Sequence, residues 1–339
     1  MAIQQLRLMR ATLPGGGQPA RANAGEAMAE PGGDYEALHR QLKKLFNSRP
    51  GKAYGRFSDD LGSHPIRGWL GNYLDGQQGF EAFTDQLLGQ WQDEITRADT
   101  DPERPLLIVH ESLADGEVLY LFALEMDPVF TLDPNLELTP TETISRSRLN
   151  LAARVELEDW RGESGSENYL TVLQGRGTGE IGKCFARLVG FQQEVDVEAE
   201  TRTFLEAVES FAQQQTEPGD AQSVRHKAFE FCNEQEALGE PVPLSALSSY
   251  IDDSQPERFA EHVAESQAVG PDQVLHPDRR KVRKLVRIAG KGNGLSLSFS
   301  SDLVNQAVHY DRDRDALIIT QVPRSLKEQL QSYLDDASD

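Results

Sequence analysis

The sequence predicts an α+β protein: an antiparallel sheet with flanking helices in an N-terminal domain, then a helical and small strand-rich C-terminal region. Three observations carry that expectation. Two apolar runs, Leu106–Leu113 and Glu117–Met126, are joined by Ala114-Asp115-Gly116, and Asp-Gly between such runs favours a tight hairpin. Ahead of them, apolar residues recur at helical spacing, first Tyr35, Leu38, Leu42, Leu45 and Phe46, then Phe80, Phe83, Leu87, Leu88, Trp91 and Ile95. From 192 to 267 the pattern is helical throughout, and after Pro271 short strand-like runs return.

Taken in order, residues 2–11 (AIQQLRLMRA) read as a short strand, and 13–33, rich in Gly, Ala and Pro, as a flexible insertion. Helices follow over 35–46 and 80–97. Between them KAYGRFSDD (Lys52–Asp60) reads as a turn, with Gly55 supplying backbone freedom and Tyr54 and Phe57 as core anchors. Leu149–Trp160 and Tyr169–Leu173 are further strands. Together with the hairpin they place an antiparallel sheet, helices to one side, in a domain covering 1–190. In 191–339, helices over 199–215 and 221–238 are bounded by breaks at Thr216–Gly219 and Glu240–Pro243. Val282–Ala289 fits strand or helix, and Gly290–Gly294 reads as a turn. Leu295–Ser300, Ala307–Tyr310 and Ala316–Val322 are strands, the last two joined by Asp311–Asp315. Pro323 opens a final helix at the first-turn position that proline tolerates.

Charge says more about partners than about fold. The formal charge of the 339 residues is -21, yet it is unevenly spread. Residues 192–272 hold 4 basic and 18 acidic side chains, net -14, whereas 273–339 hold 11 and 9, net +2. Within the latter, Arg279, Arg280, Lys281, Arg283, Lys284, Arg287 and Lys291 place seven cations in thirteen residues with no acid among them. Such an island inside so anionic a chain reads as a contact for phosphates, with Gly290, Gly292 and Gly294 letting backbone N–H groups approach them. The competing reading pairs the island with the acidic segment before it, within one chain or across a dimer.

Gly177-Thr178-Gly179-Glu180-Ile181-Gly182-Lys183-Cys184 fits G-x-G-x-x-G, and fits G-x-x-x-x-G-K up to its last position. Cys184 stands where a hydroxyl should ligate Mg²⁺, and a thiol suits that hard cation poorly. The neighbouring strands also read as antiparallel rather than βαβ. A plain glycine-rich connection is therefore favoured over a nucleotide site. A helix N-terminus flanked by Arg176, Lys183 and Arg187 offers a second phosphate contact. Seven scattered histidines show no metal-ligand spacing, and His110 in an apolar strand reads as a core residue. No cofactor is implied. Cys184 and Cys232 read as buried, inert thiols in a reducing compartment. No apolar run approaches the roughly 18 residues a membrane span needs, and the N-terminus lacks a secretory apolar core. The chain is expected in the cytoplasm.

KAYGRFSDD, ARVELEDW, YLTVLQGR, FCNEQ and HPDRR…AGKGNGLSLSFSSDLVNQAVHYDRDRDALIITQVPRSLKEQL occur in that order. Together they resemble the bacterial nucleoid-associated proteins of the YejK/NdpA type, from about Lys52 to the end. The resemblance implies a cytoplasmic, nucleoid-located, non-enzymatic protein associated with double-stranded DNA, with type II topoisomerases among possible partners. It brings no catalytic residues. The insertion at 13–33 departs from the family pattern. With no base-reading motif present, binding is expected to be phosphate-led and weakly sequence-specific, in a homodimer that doubles the contacts. The alternative is an adaptor whose acidic helices hold a basic partner, such as a topoisomerase, and which reaches DNA indirectly.

Overall fold

The structure is a computed structural model and describes residues 2–15, 17–114, 116–162, 168–215, 218–267 and 273–336. Asp115 of the hairpin turn and Thr216 and Glu217 of the helix break lie outside the described residues. The chain forms two compact units, Met1–Glu200 with Glu234–Pro241, and Thr201–Asn233 with Val242–Asp339.

The first unit runs β1 (Ala2–Thr12), β2 (Arg21–Ala24), β3 (Met28–Ala29), α1 (Gly33–Ser48), β4 (Lys52–Phe57), α2 (Ile66–Leu74) and α3 (Phe80–Ala98). It continues with β5 (Leu106–Leu113), β6 (Gly116–Ala123), β7 (Met126–Leu132), β8 (Leu138–Ile144), β9 (Leu151–Glu156), α4 (Leu157–Arg161), β10 (Leu170–Gln174), α5 (Gly179–Leu188) and β11 (Phe191–Gln193). A nine-stranded sheet has the order β11-β4-β10-β9-β6-β5-β1-β2, with β3 also beside β1. Every pairing in it is antiparallel, and the β5–β6 hairpin closes as the sequence predicts, Leu113 opposite Gly116.

Four expectations need correction. The helices do not lie to one side. Leu106, Ile108, Leu119 and Leu121 face Phe83, Leu87 and Trp91 of α3 and Phe185 of α5; the alternate residues Leu107, Val109, Tyr120 and Phe122 face Leu42 and Phe46 of α1. The apolar runs of β5, β6 and β9 leave both faces needing cover, so the sheet is sandwiched. Lys52–Phe57 is a central strand rather than a turn. A Cβ on Gly55 would stand 2.0 Å from the Gln192 carbonyl oxygen, so glycine here admits the neighbouring strand β11. Residues 13–33 are not a free insertion, because β2 and β3 pair along β1 and Ala20 is buried, its N–H donating to Thr96 Oγ1 at 3.0 Å. Finally, the strand read over 149–160 stops at Glu156, and Trp160 lies in α4.

In the second unit most of α6 (Val197–Gln213) and of α7 (Pro218–Leu238) precedes β12 (Val242–Pro243), α8 (Leu244–Ile251), α9 (Arg258–Gln267), β13 (Val274–Leu275) and α10 (Arg279–Val282). A 3-10 turn, Arg283–Leu285, leads into β14 (Arg287–Gly292) and β15 (Leu295–Ser300). After a second 3-10 turn, Ser301–Leu303, come β16 (Val308–Asp311), β17 (Ala316–Ile319) and α11 (Arg324–Asp336). Among the described residues the segment 192–267 is thus mainly helical, interrupted by two short strand pieces and by connections such as 252–257. Phe204, Val208 and Phe211 of α6 pack with Leu247 and Phe259 into the core of this unit, Phe211 and Phe259 meeting edge to face at 5.2 Å. Both cysteines are buried, as the sequence predicts, and neither is in a disulfide; burial pushes the Cys184 thiol above its ordinary range.

Candidate nucleic-acid interface

The basic island is built on two short elements. Asp278 caps α10, its carboxylate accepting from the Arg280 N–H at 2.8 Å, and its own N–H donates to Thr201 Oγ1 at 2.8 Å. Val282 and Leu285 are 0% and 2% exposed in the core of the second unit. With those two positions turned inward, Arg280, Arg283 and Lys284 fall at i, i+3 and i+4 on the outward side and are exposed. Arg279 and Lys281 are half-buried. Among the described residues, Arg280, Arg283, Lys284 and Lys291 enter no ion pair.

After this turn the chain forms the β14–β15 ribbon, and here the expected glycine turn at Gly290–Gly294 is corrected. Gly290 and Gly292 are strand residues opposite Leu297 and Leu295, so they form no phosphate nest. The reversal occurs at Asn293-Gly294, both with positive φ (49° and 79°); that is the two-residue hairpin turn Asn-Gly favours. The register then sorts the side chains. Arg287 stands opposite Ser300, Ala289 opposite Ser298, and Lys291 opposite Ser296; directly opposed residues of an antiparallel pair share a face. One face of the ribbon is therefore two cations, three serines and an alanine. The other carries Ile288, Leu295, Leu297 and Phe299. Arg287 Nε donates to Ser298 Oγ at 2.7 Å, which orients the guanidinium along the serine row. Sequence reading missed the serines, although their signal was present in the strict alternation of Leu295–Ser300.

At the foot of the ribbon Arg283, Arg287, Ser300, His226, Phe229 and Asp302 help line a cavity of about 470 Å³. Asp302 anchors the ribbon there, accepting from Ser300 Oγ at 3.1 Å and standing 3.3 Å from His226 Nε2. His276, just before the island, is buried, and desolvation pushes its pKa down to about 4.

The glycine-rich segment before α5 has a different purpose. β10 pairs antiparallel with β4 and β9, so the parallel βαβ frame of a phosphate-binding loop is absent there. A Cβ on Gly182 would lie 2.4 Å from Gln174 Nε2 and 2.5 Å from Thr178 Oγ1, so its lack of a side chain serves packing. Glu180 occupies the first turn of α5 and holds Lys183 Nζ at 2.6 Å. Arg187 is bonded to the buried carboxylate of Glu94, which also receives Arg97 at 2.7 Å. Of Arg176, Lys183 and Arg187, Arg176 alone is exposed without such a tie among the described residues. His110 is a buried core residue, as the sequence predicts, with Nδ1 2.8 Å from the Tyr73 hydroxyl and Nε2 3.5 Å from the Glu117 carboxylate.

A family model described as nucleoid-associated protein YejK matches residues 16–327. A nucleoid-associated protein of Azotobacter vinelandii is 30% identical over 320 residues, covering 94% of this chain and 95% of its own. One from Pseudomonas putida is 30% identical over 322 residues, with coverage of 94% and 95%. Another, from Pseudomonas paraeruginosa, is 29% identical over 317 residues, with coverage of 93% and 92%. Among the described residues no helix is long and apolar enough to cross a membrane. On the match across nearly its whole length, the chain belongs to the YejK family of nucleoid-associated proteins.

Proposed function

We propose that this protein sits on the bacterial nucleoid in the cytoplasm by binding double-stranded DNA through phosphate contacts, without catalysis and with little sequence preference. The observation that carries the reading is the cationic serine face. Arg287 and Lys291 stand among Ser296, Ser298 and Ser300, directly after the exposed Arg280, Arg283 and Lys284. Cations neutralise phosphates and release counterions, and the short hydroxyls of Ser296 and Ser298 donate to phosphate oxygens without holding the backbone away, Ser300 being engaged with Asp302. Arg279 and Lys281 support the same cluster, with Arg176 as an outlying contact in the first unit; Lys183 and Arg187, tied to Glu180 and Glu94, contribute little. Two copies of the chain double the phosphates engaged, which compensates the repulsion between DNA and a chain of charge -21.

Fluorescence anisotropy on a labelled duplex at two salt concentrations tests this. It compares the wild type with Arg279→Glu/Arg280→Glu/Lys281→Glu/Arg283→Glu. The expected result is unassisted, salt-sensitive binding by the wild type and at least a 100-fold loss in the variant. Equal affinity and equal salt slope would remove the cluster from the interface. Binding that requires an added type II topoisomerase would instead favour the adaptor reading, in which the acidic helices between 192 and 272 hold the enzyme.

A further inference from the structure

The β7–β8 hairpin is not part of the nine-stranded sheet, for among the described residues its two strands pair only with each other. Its register places Met126 opposite Ile144, Pro128 opposite Glu142, Phe130 opposite Pro140 and Leu132 opposite Leu138 on one face. The other face carries Asp127 with Thr143, Val129 with Thr141, and Thr131 with Thr139. One side is thus apolar with a single acid, Glu142, and the other is threonine-rich. The apolar side is uncovered: Phe130 is 73% exposed, Leu132 62%, Leu138 69%, and Leu136 at the tip 77%. A lone two-stranded ribbon is marginal in water and needs its apolar face covered; exposed apolar patches of this kind mark interaction surfaces.

We propose that this ribbon is the dimerisation arm, and that its partner is the same ribbon of a second copy, stacked face to face and running antiparallel. Three features of the ribbon choose that occupant. Its apolar face is self-complementary in the way a two-fold interface requires, two such faces packing as the layers of a β-sandwich do. Together with Pro128 and Pro140, the four exposed side chains bring roughly 500 Å² per copy. Two copies then reach about the 1,000 Å² that a specific interface needs. Charge fixes the direction. The tip carries Asp133 and Glu137, the base carries the exposed Arg146 beside the Arg148–Asp127 pair and so is net positive, and the strands of seven residues are about 24 Å long. Antiparallel stacking lays each acidic tip over the other copy's basic base, whereas parallel stacking sets tip against tip. The ribbon is held for this contact at its root. Arg148 donates to the Met126 carbonyl at 2.9 Å and pairs with Asp127, the Ser145 N–H donates to the Glu125 carbonyl at 2.8 Å, and Ile144 packs against the core beneath α1.

The inference rests on the dimeric part of the functional reading and not on DNA contact. Analytical ultracentrifugation of the full chain tests it, with Phe130→Glu/Leu138→Glu as the variant and circular dichroism as the check on folding. The wild type is expected to be a dimer at micromolar concentration. The variant, altered at exposed positions, should be a monomer with an unchanged melt and at least a 100-fold weaker association. Phe130→Cys, near the two-fold axis, should cross-link to itself on oxidation, since the natural cysteines are buried. A monomeric wild type at 100 µM, a dimer that survives both glutamates, or no cross-link through Phe130→Cys would each overturn the proposal. The charge-reversed cluster variant should remain dimeric. Loss of its DNA binding leaves the arm untouched, while loss of its dimer would place the contact elsewhere and overturn the arm.

Discussion

Arg187→Ala and Arg283→Ala should have opposite effects, although the sequence alone marks both residues as phosphate contacts. Arg187 is bonded to Glu94, whose side chain is 2% exposed, while Arg97, the other cation on Glu94, is 67% exposed. The bond to Glu94 keeps the Arg187 guanidinium charged. Removing it leaves a buried carboxylate with one charged partner instead of two, and a charge-assisted hydrogen bond of this kind contributes about 2 kcal/mol. For a unit of this size that corresponds to a fall in Tm of roughly 4–8 °C. Since the Arg187 guanidinium is already neutralised by Glu94, although its side chain is 38% exposed, the salt slope of DNA binding should not change. Arg283 is exposed and enters no ion pair among the described residues. Its loss should alter stability by no more than about 0.5 kcal/mol and reduce the slope of log affinity on log salt by about 0.9. Thermal melts combined with anisotropy between 50 and 200 mM salt read both quantities on the same samples. A shallower salt slope without a change in Tm in Arg187→Ala would refute the assignment. So would a lower Tm with an unchanged slope in Arg283→Ala.

Titration of buried groups gives further expectations. His276, buried and depressed to about 4, is neutral in the folded state and ionises near 6.5 when unfolded. Its contribution is therefore present above pH 6.5 and lost as pH falls towards 4, about 2 kcal/mol between pH 7.5 and 5; urea midpoints should show this, and His276→Leu should flatten the curve. Glu156 is raised to about 7 by burial, with Glu240 and Asp159 adding to it against the pull of Arg154. A raised pKa means stability fully present below the unfolded value and lost as pH climbs towards 7. Glu156→Gln should then raise the unfolding free energy read from urea melts at pH 8, by about 1–2 kcal/mol once its partly exposed side chain is discounted, and leave it unchanged at pH 4.5. A lower midpoint at pH 8 would mean that the pairing with Arg154 dominates. Gly182→Ala forces a methyl against Gln174 and Thr178 and should cost about 1–3 kcal/mol, with no shift in melting on adding ATP to either protein.

What could be read in the sequence followed local pattern, and what could not depended on partners distant in the chain. The β5–β6 hairpin was legible because an Asp-Gly turn and two apolar runs are contiguous. α1 and α3 were legible because each carries its own helical stripe. Lys52–Phe57 was misread because its identity as a strand comes from β11 and β10, which pair with it from 110 to 140 residues away. Its glycine signalled a turn while in fact making room for a neighbour's carbonyl. α1's place on the far side of the sheet followed from the unbroken apolar runs of β5 and β6, a cue weaker than alternation. In the candidate interface the cations were visible at once. Their arrangement was not, because it depends on register: only once Asn293-Gly294 is the turn does Lys291 face Ser296 rather than Leu295. Arg187 shows the converse. Nothing near it in sequence reveals that its partner is Glu94, 93 residues earlier.

Register also bears on how so acidic a chain can approach DNA at all. At physiological ionic strength charges are screened over about 8 Å, so what a phosphate meets is the local composition of the surface and not the total of -21. A compact ribbon face of Arg287, Lys291 and serines, following a turn that exposes Arg280, Arg283 and Lys284, presents mainly cations and neutral donors within that distance, the neighbouring carboxylates of Asp278 and Asp302 being engaged by the Arg280 N–H and the Ser300 hydroxyl. Acidic residues elsewhere add little repulsion there. In dilute salt the screening length grows to about 30 Å at 0.01 M, and the whole anionic surface then opposes the approach. Affinity should rise steeply as salt falls from 200 to 50 mM, and then flatten or turn over below about 20 mM. A protein whose net charge did not matter would give a straight line throughout. A straight log–log plot down to 10 mM would therefore mean that the acidic surface lies farther from bound DNA than the low-salt screening length, and that the cationic face acts alone.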